Sequence, residues 1–238
     1  MENRRYNVQK NQGITINRGS GTAAISPAAS KVLRNTYSLL AMTLLFSAVM
    51  AGISMSIGLG RGVSLICMLG ALALVWLVLP RTANSSAGIG VVFAFTGLLG
   101  LSLGPTLAYY LAMSNGGQVV MQALGGTAVV FFALSGYVLT TKKDFSFMRG
   151  MLVAGLVVVI VAAVGAVVAG MFGVDVSTFS LAISAAIVFL MSGFILYDTS
   201  RIVNGGETNY IMATTGLYLN IYNLFLSLLH IIGAFSGE

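Results

Sequence analysis

Hydrophobic positions in this chain do not alternate with polar ones at a strand period. They come in seven long blocks, at about 36–58, 62–80, 87–113, 117–140, 150–172, 178–198 and 209–235. Each block is close to the roughly 20 residues that an α-helix needs to cross the hydrocarbon core of a bilayer. The second is the shortest. Lipid offers no hydrogen bonds to free backbone groups, and nothing alternates as barrel strands do, so the blocks predict helices. The links between them are short: around Arg61, Arg81–Ser86, Ser114–Gly116, Thr141–Arg149, Gly173–Ser177 and Thr199–Thr208. Short links force antiparallel neighbours and leave no space for an external domain. The predicted fold class is all-α, a polytopic membrane bundle of about seven transmembrane helices.

Composition agrees with lipid as the solvent. Of the 238 residues, 57% are hydrophobic and 8% are charged, against roughly 25% charged in a soluble domain. The 29 glycines suit membrane helices. The single cysteine, Cys67, lies in an apolar block and excludes an intrachain disulfide.

Residues 1–35 differ from the rest. They are polar, rich in Asn, Gly and Ser, and carry Arg4, Arg5, Lys10, Arg18, Lys31 and Arg34. Such a segment buries too little apolar area to offset its ordering entropy, so it reads as a disordered basic tail before a bundle over 36–238. Its polar front is too long for a cleaved signal peptide, and the first block reads as an uncleaved signal anchor. With the tail inside, the cytoplasmic segments hold eleven of the twelve basic residues, and only Arg61 lies outside. This bias places the N-terminus in the cytoplasm and, with seven spans, the C-terminus outside.

Small residues recur at packing intervals: Gly97, Gly100 and Gly104 in the third block, Ala48 and Gly52 in the first. Close packing within the bundle explains them more readily than a dimer face. Gly104-Pro105 predicts a kink, because proline removes a backbone donor inside the helix.

Ionisable residues inside spans are costly and therefore candidates for function. The first five blocks contain no acidic residue. Asp198 ends the sixth, where a carboxylate can bind a cation, carry a proton or pair with Arg201. Glu207, Asp144 and Asp175 fall in links. The seventh block is unusually polar, with Thr214, Thr215, Tyr218, Asn220, Tyr222, Asn223, Ser227 and His230. A span this polar belongs inside the bundle, where hydrogen bonding between helices is a simpler role than a transport path. His230 alone cannot hold a metal. Zinc-protease and phosphate-loop motifs are missing, as is the aromatic and basic interleaving of nucleic-acid binders. The expectation is a protein without catalysis, cofactor, metal or nucleic acid.

The run Tyr197-Asp198-Thr199-Ser200-Arg201-Ile202-Val203, then Asn209-Tyr210-Ile211, then Leu217-Tyr218-Leu219-Asn220-Ile221-Tyr222-Asn223-Leu224-Phe225 resembles the C-terminal signature of the Bax inhibitor family. Length, seven blocks and short links match too. The chain looks most similar to a bacterial branch, the modulators of FtsH protease. The segments that carry this are Lys31–Tyr37, Ala123–Ala128, Tyr137–Asp144 and Gly205–Tyr210. The resemblance implies an inner-membrane protein that associates with the ATP-dependent membrane protease FtsH and restrains its activity on other membrane proteins; a tail long enough for the ATPase ring to grip could make the chain a slow substrate as well. Other members are described as pH-sensitive calcium leaks, in which an aspartate on the sixth span and another on the seventh share a proton. Asp198 matches the first, but Asn220 stands at the second position. An amide there removes the coupling between two carboxylates and half the charge that attracts calcium. Asp198 and Asn220 are the candidate site, a proton or cation position or a hydrogen-bonded latch between two helices, with Arg201, Glu207, Tyr218, Asn223 and His230 as supporting polar residues; a pH-sensitive calcium or cation leak is the alternative function.

Overall fold

A computed structural model describes residues 25–236. The front of the basic tail, with Arg4, Arg5, Lys10 and Arg18, lies outside the described residues, as does Glu238.

The described residues form seven long helices and no strand: α1 (Pro27–Ser56), α2 (Arg61–Thr82), α3 (Ala87–Leu111), α4 (Gly116–Thr141), α5 (Arg149–Met171), α6 (Ser177–Val203) and α7 (Tyr210–Ser236). All seven are long and apolar enough to cross a membrane. The hydrophobic blocks locate them within two residues at nearly every end. Two ends differ. Helix α1 begins at Pro27 rather than near 36, because the Ser26 side chain accepts the Ala29 N–H and Pro27 opens the first turn. Its 30 residues run about 45 Å, longer than the roughly 30 Å hydrocarbon core, so its polar first turns, with Lys31 and Arg34, extend beyond it. Helix α6 continues past Asp198 to Val203, which places Asp198 inside the helix rather than at its end.

Helices α3 and α7 are the most buried, and α2 and α5 the least. Helix α7 packs on α6, α4, α1 and α3, whereas α5 leans chiefly on α6 and α2 on α3. Alternation of the helices gathers Lys31, Arg34, Arg81, Lys142, Lys143, Arg149 and Arg201 at the end of the bundle where α1 begins. That end is called the basic end below.

The α3 glycines serve contact with α1. A methyl group at Gly100 would overlap the Ser47 carbonyl, and one at Gly104 would overlap the Ser54 side chain. Pro105 cannot donate to the Leu101 carbonyl four residues back, and the Ser54 hydroxyl donates to that carbonyl instead, at 2.7 Å. The helix therefore runs through Pro105 without leaving a carbonyl unmet. In α2 a wide π-turn at Leu74–Val78 precedes Pro80 and accommodates its ring. At the end opposite the basic one, Asp175 accepts the Ser177 N–H at 2.9 Å at the start of α6. Hydrogen bonds from Ser177 hold the Asp175 carboxyl below the usual carboxylate range.

Candidate functional site

The polar residues of α7 are distributed over its neighbours. Tyr218, fully buried, places its hydroxyl 2.6 Å from that of Ser47 on α1. Tyr222 places its hydroxyl 3.2 Å from Ser102 on α3, and the two tyrosine rings stack at 6.1 Å. Thr214 donates to Tyr210 in its own helix at 2.7 Å and approaches the Thr36 carbonyl of α1 at 3.3 Å. His230 meets Ser184 on α6 through Nδ1 at 2.7 Å. The Ser184 hydroxyl also lies 3.0 Å from the Ser180 carbonyl of its own helix. Which of Ser184 and His230 donates to the other follows the imidazole tautomer. Asn223 donates to Leu219 within α7 at 2.8 Å and bridges nothing.

The structure brings Asp198 and Asn220 together. Asn220 Nδ2 donates to Asp198 Oδ2 at 2.7 Å, a short bond between α7 and α6. Gly216 lies one turn before Asn220 and makes room for the carboxylate, since a methyl there would stand 3.1 Å from Oδ2. Asp198 also lines a pocket of about 250 Å³ together with Arg201, Glu207 and Met212. Arg201 does not bond to Asp198. It forms an ion pair with Glu207 at 3.1 Å, donates to the Gly206 carbonyl at 3.2 Å, and lies over the Tyr197 ring at 5.6 Å. The turn at Gly205, with φ +76°, folds the link back so that Glu207 reaches it. The basic end of α6 and α7 is thus closed by one carboxylate–amide bond inside and one ion pair at the rim.

Two residues outside the expected set complete this closure. Asn209 accepts the N–H groups of Ile211 and Met212 at 2.9 and 3.2 Å, capping α7. Its amide donates to the Ala83 carbonyl and to Asn84 at 2.9 and 2.8 Å, tying the α2–α3 link to the α6–α7 link. Ser200 accepts the Phe145 N–H at 2.9 Å and donates to the Lys143 carbonyl at 3.1 Å, which fastens the α4–α5 link to α6. Asn209 carried a sequence signal, an asparagine directly before an apolar helix. Ser200 carried no signal beyond its place in the signature run.

Residues 29–237 match the sequence family described as inhibitor of apoptosis-promoting Bax1. The chain belongs to this Bax inhibitor family. A protein of Vibrio cholerae described as an uncharacterized membrane protein is 52% identical over 210 residues, covering 88% of this chain and 92% of its own. The Escherichia coli K12 protein named modulator of FtsH protease YccA is 50% identical over 208 residues, 87% of this chain and 92% of its own. A strain O6:H1 counterpart with the same identity and coverage is named inner membrane protein YccA. The signature that suggested the Bax inhibitor family lies on α6 and α7: Asp198, Ser200, Asn209 and Asn220 at their closure, and Tyr218 and Tyr222 on the faces of α7 toward α1 and α3.

Proposed function

We propose that this Bax inhibitor family member is a regulatory protein of a bacterial inner membrane that binds the protease FtsH and restrains it, without itself being an enzyme. The observation that carries the reading is half-identity with a protein named modulator of FtsH protease, over nearly nine-tenths of this chain. The site supports it. Asp198–Asn220, Arg201–Glu207, Asn209 and Ser200 join three links at the basic end into one fastened surface, suited to contact rather than to turnover. Residues 1–24 precede α1 at that same end, and a polar segment of this length reaches tens of ångströms when extended, far enough for a cytosolic ATPase ring to engage it. The same contact would make the chain a slow substrate.

The test is co-purification from detergent of tagged full-length chain, and of a chain lacking residues 1–24, with FtsH. Recovery of protease with the full chain, and a half-life at least doubled for a membrane substrate when the chain is overproduced, is the expected result. If neither form recovers protease, the reading fails.

A cation leak has one observation in its favour, the pocket that brings Asp198 within reach of the basic end. The same pocket is lined by Arg201, and the Asn220 amide directs an N–H at the carboxylate where a cation would bind. Both weigh against it. Calcium flux into liposomes holding the wild-type chain, measured across pH and absent in Asp198→Asn, would restore this reading.

A further inference from the structure

A cavity larger than the one at the α6–α7 closure lies elsewhere. It is a groove of about 590 Å³ between α1 and α4, with α7 and part of α3 as its floor. Helices α1 and α4 are held apart along most of their length, and the rings of Tyr37 and Phe131 meet across the gap at 5.8 Å near the basic end. On α1 the groove-lining positions include Tyr37, Ala41, Leu44, Ala48, Ala51 and Met55, spaced alternately by four and three residues. Ala41 and Ala48 are exposed, and no atom lies within 4 Å of a methyl group built at Gly52. The small residues of α1 thus face the gap, while the glycines of α3 take the packing.

Lining decides what fits. Between Tyr37 and Met55 the helix runs roughly 27 Å. Along that length the walls are apolar, Leu40, Leu44, Leu107, Val120, Leu124 and Phe132 among them. An acyl chain meets such walls without needing hydrogen-bond partners.

Polarity marks one end. Of the groove's hydroxyls, Ser47 and Tyr218 satisfy each other, Tyr222 meets Ser102, and Thr127 donates to Ala123. The Tyr37 hydroxyl is buried and has no hydrogen-bond partner among the described residues. One turn beyond it toward the basic end stands Arg34, exposed and seven residues before Ala41, so on the same face of α1; Lys31 follows, also exposed. Tyrosine at the edge of the hydrocarbon with cations just outside it is the arrangement that meets a lipid's ester and phosphate levels.

We propose that this groove is a binding site for one anionic phospholipid, its acyl chain between α1 and α4 and its phosphate at Arg34 and Lys31. The site is separate from the protease reading and stands or falls without it.

The experiment is native mass spectrometry of the full chain released from nanodiscs of equimolar phosphatidylglycerol and phosphatidylcholine. Wild type is expected to retain one phospholipid, with phosphatidylglycerol favoured about thirtyfold by two surface cations. Ala48→Trp and, separately, Ala41→Trp fill the groove from exposed positions and are expected to abolish retention while thermal unfolding stays within a few degrees of wild type. The double change Arg34→Gln/Lys31→Gln is expected to keep a bound lipid and lose the preference for phosphatidylglycerol. Retention unchanged in both tryptophan variants overturns the proposal, as does a wild-type chain that leaves the nanodisc bare. A benzophenone at position 48 that captures a protein helix in native membranes, in preference to lipid, overturns it too.

Discussion

Asp198 and Asn220 show how much one atom's identity matters in a low-dielectric bundle. Removing the carboxylate in Asp198→Ala leaves the Asn220 amide partnerless at an interface between helices, which costs about 1–3 kcal/mol. Asp198→Asn keeps an acceptor of the same shape and is expected to lose only a fraction of that. Thermal unfolding in detergent separates the two. Asn220→Asp replaces a donor with a second carboxylate within hydrogen-bonding distance of the first. Two such groups are compatible while they hold a proton between them and repel when both are charged. The melting temperature of that variant, relative to wild type, is therefore expected to fall between pH 5 and pH 8; a constant difference would mean the two side chains move apart. The pairing was legible in the sequence through the family signature. The partner of Arg201 was not. Asp198 is three residues away along the helix, but the Gly205 turn returns Glu207 to Arg201, and that geometry has no periodic signal.

At the scale of the helices, α3 owes its position to glycines that nothing else can replace. Gly100→Ala drives a methyl group into the Ser47 backbone and is expected to cost about 1–3 kcal/mol. Gly52→Ala and Gly125→Ala, where a methyl group meets nothing within 4 Å, are the matched controls and should be nearly neutral. Equal losses at all three would mean that backbone flexibility, rather than close approach, sets the requirement. Hydropathy found every helix, because each must supply a hydrocarbon-length apolar run. It misplaced the start of α1, where a Ser26 cap and Pro27, outside the lipid, decide the boundary. It stopped α6 at a charge that the helix simply passes. The small residues of α1 and α3 looked alike in sequence. Only the spacing of α1 from α4 shows that one set packs and the other lines a gap.

For the whole molecule, orientation in the membrane follows from the basic end. Eleven of the twelve basic residues precede α1 or gather beside it, which predicts a cytoplasmic N-terminus and an external C-terminus. Alkaline phosphatase fused after Glu238 is expected to be active. Single cysteines, introduced in a Cys67→Ser background, should react with an impermeant maleimide from outside at Val174 and not at Lys143. The reverse pattern would invert the topology and remove the surface proposed to face the ATPase. Centrality of α7 was partly legible, since a polar span avoids lipid, and its bonds to α1, α3 and α6 explain the placement.

Helix α1 finds its main partner in α3, not in its sequential neighbour α2. Synthesis thus delivers α1 and α2 ahead of the glycine face that receives α1, which lies in the third span. The Leu101 carbonyl, for its part, meets Ser54 only when the third span arrives beside the first. A nascent chain halted soon after Thr82 holds α1 with nothing to clasp, and assembly of the bundle begins only once the ribosome has passed Leu111.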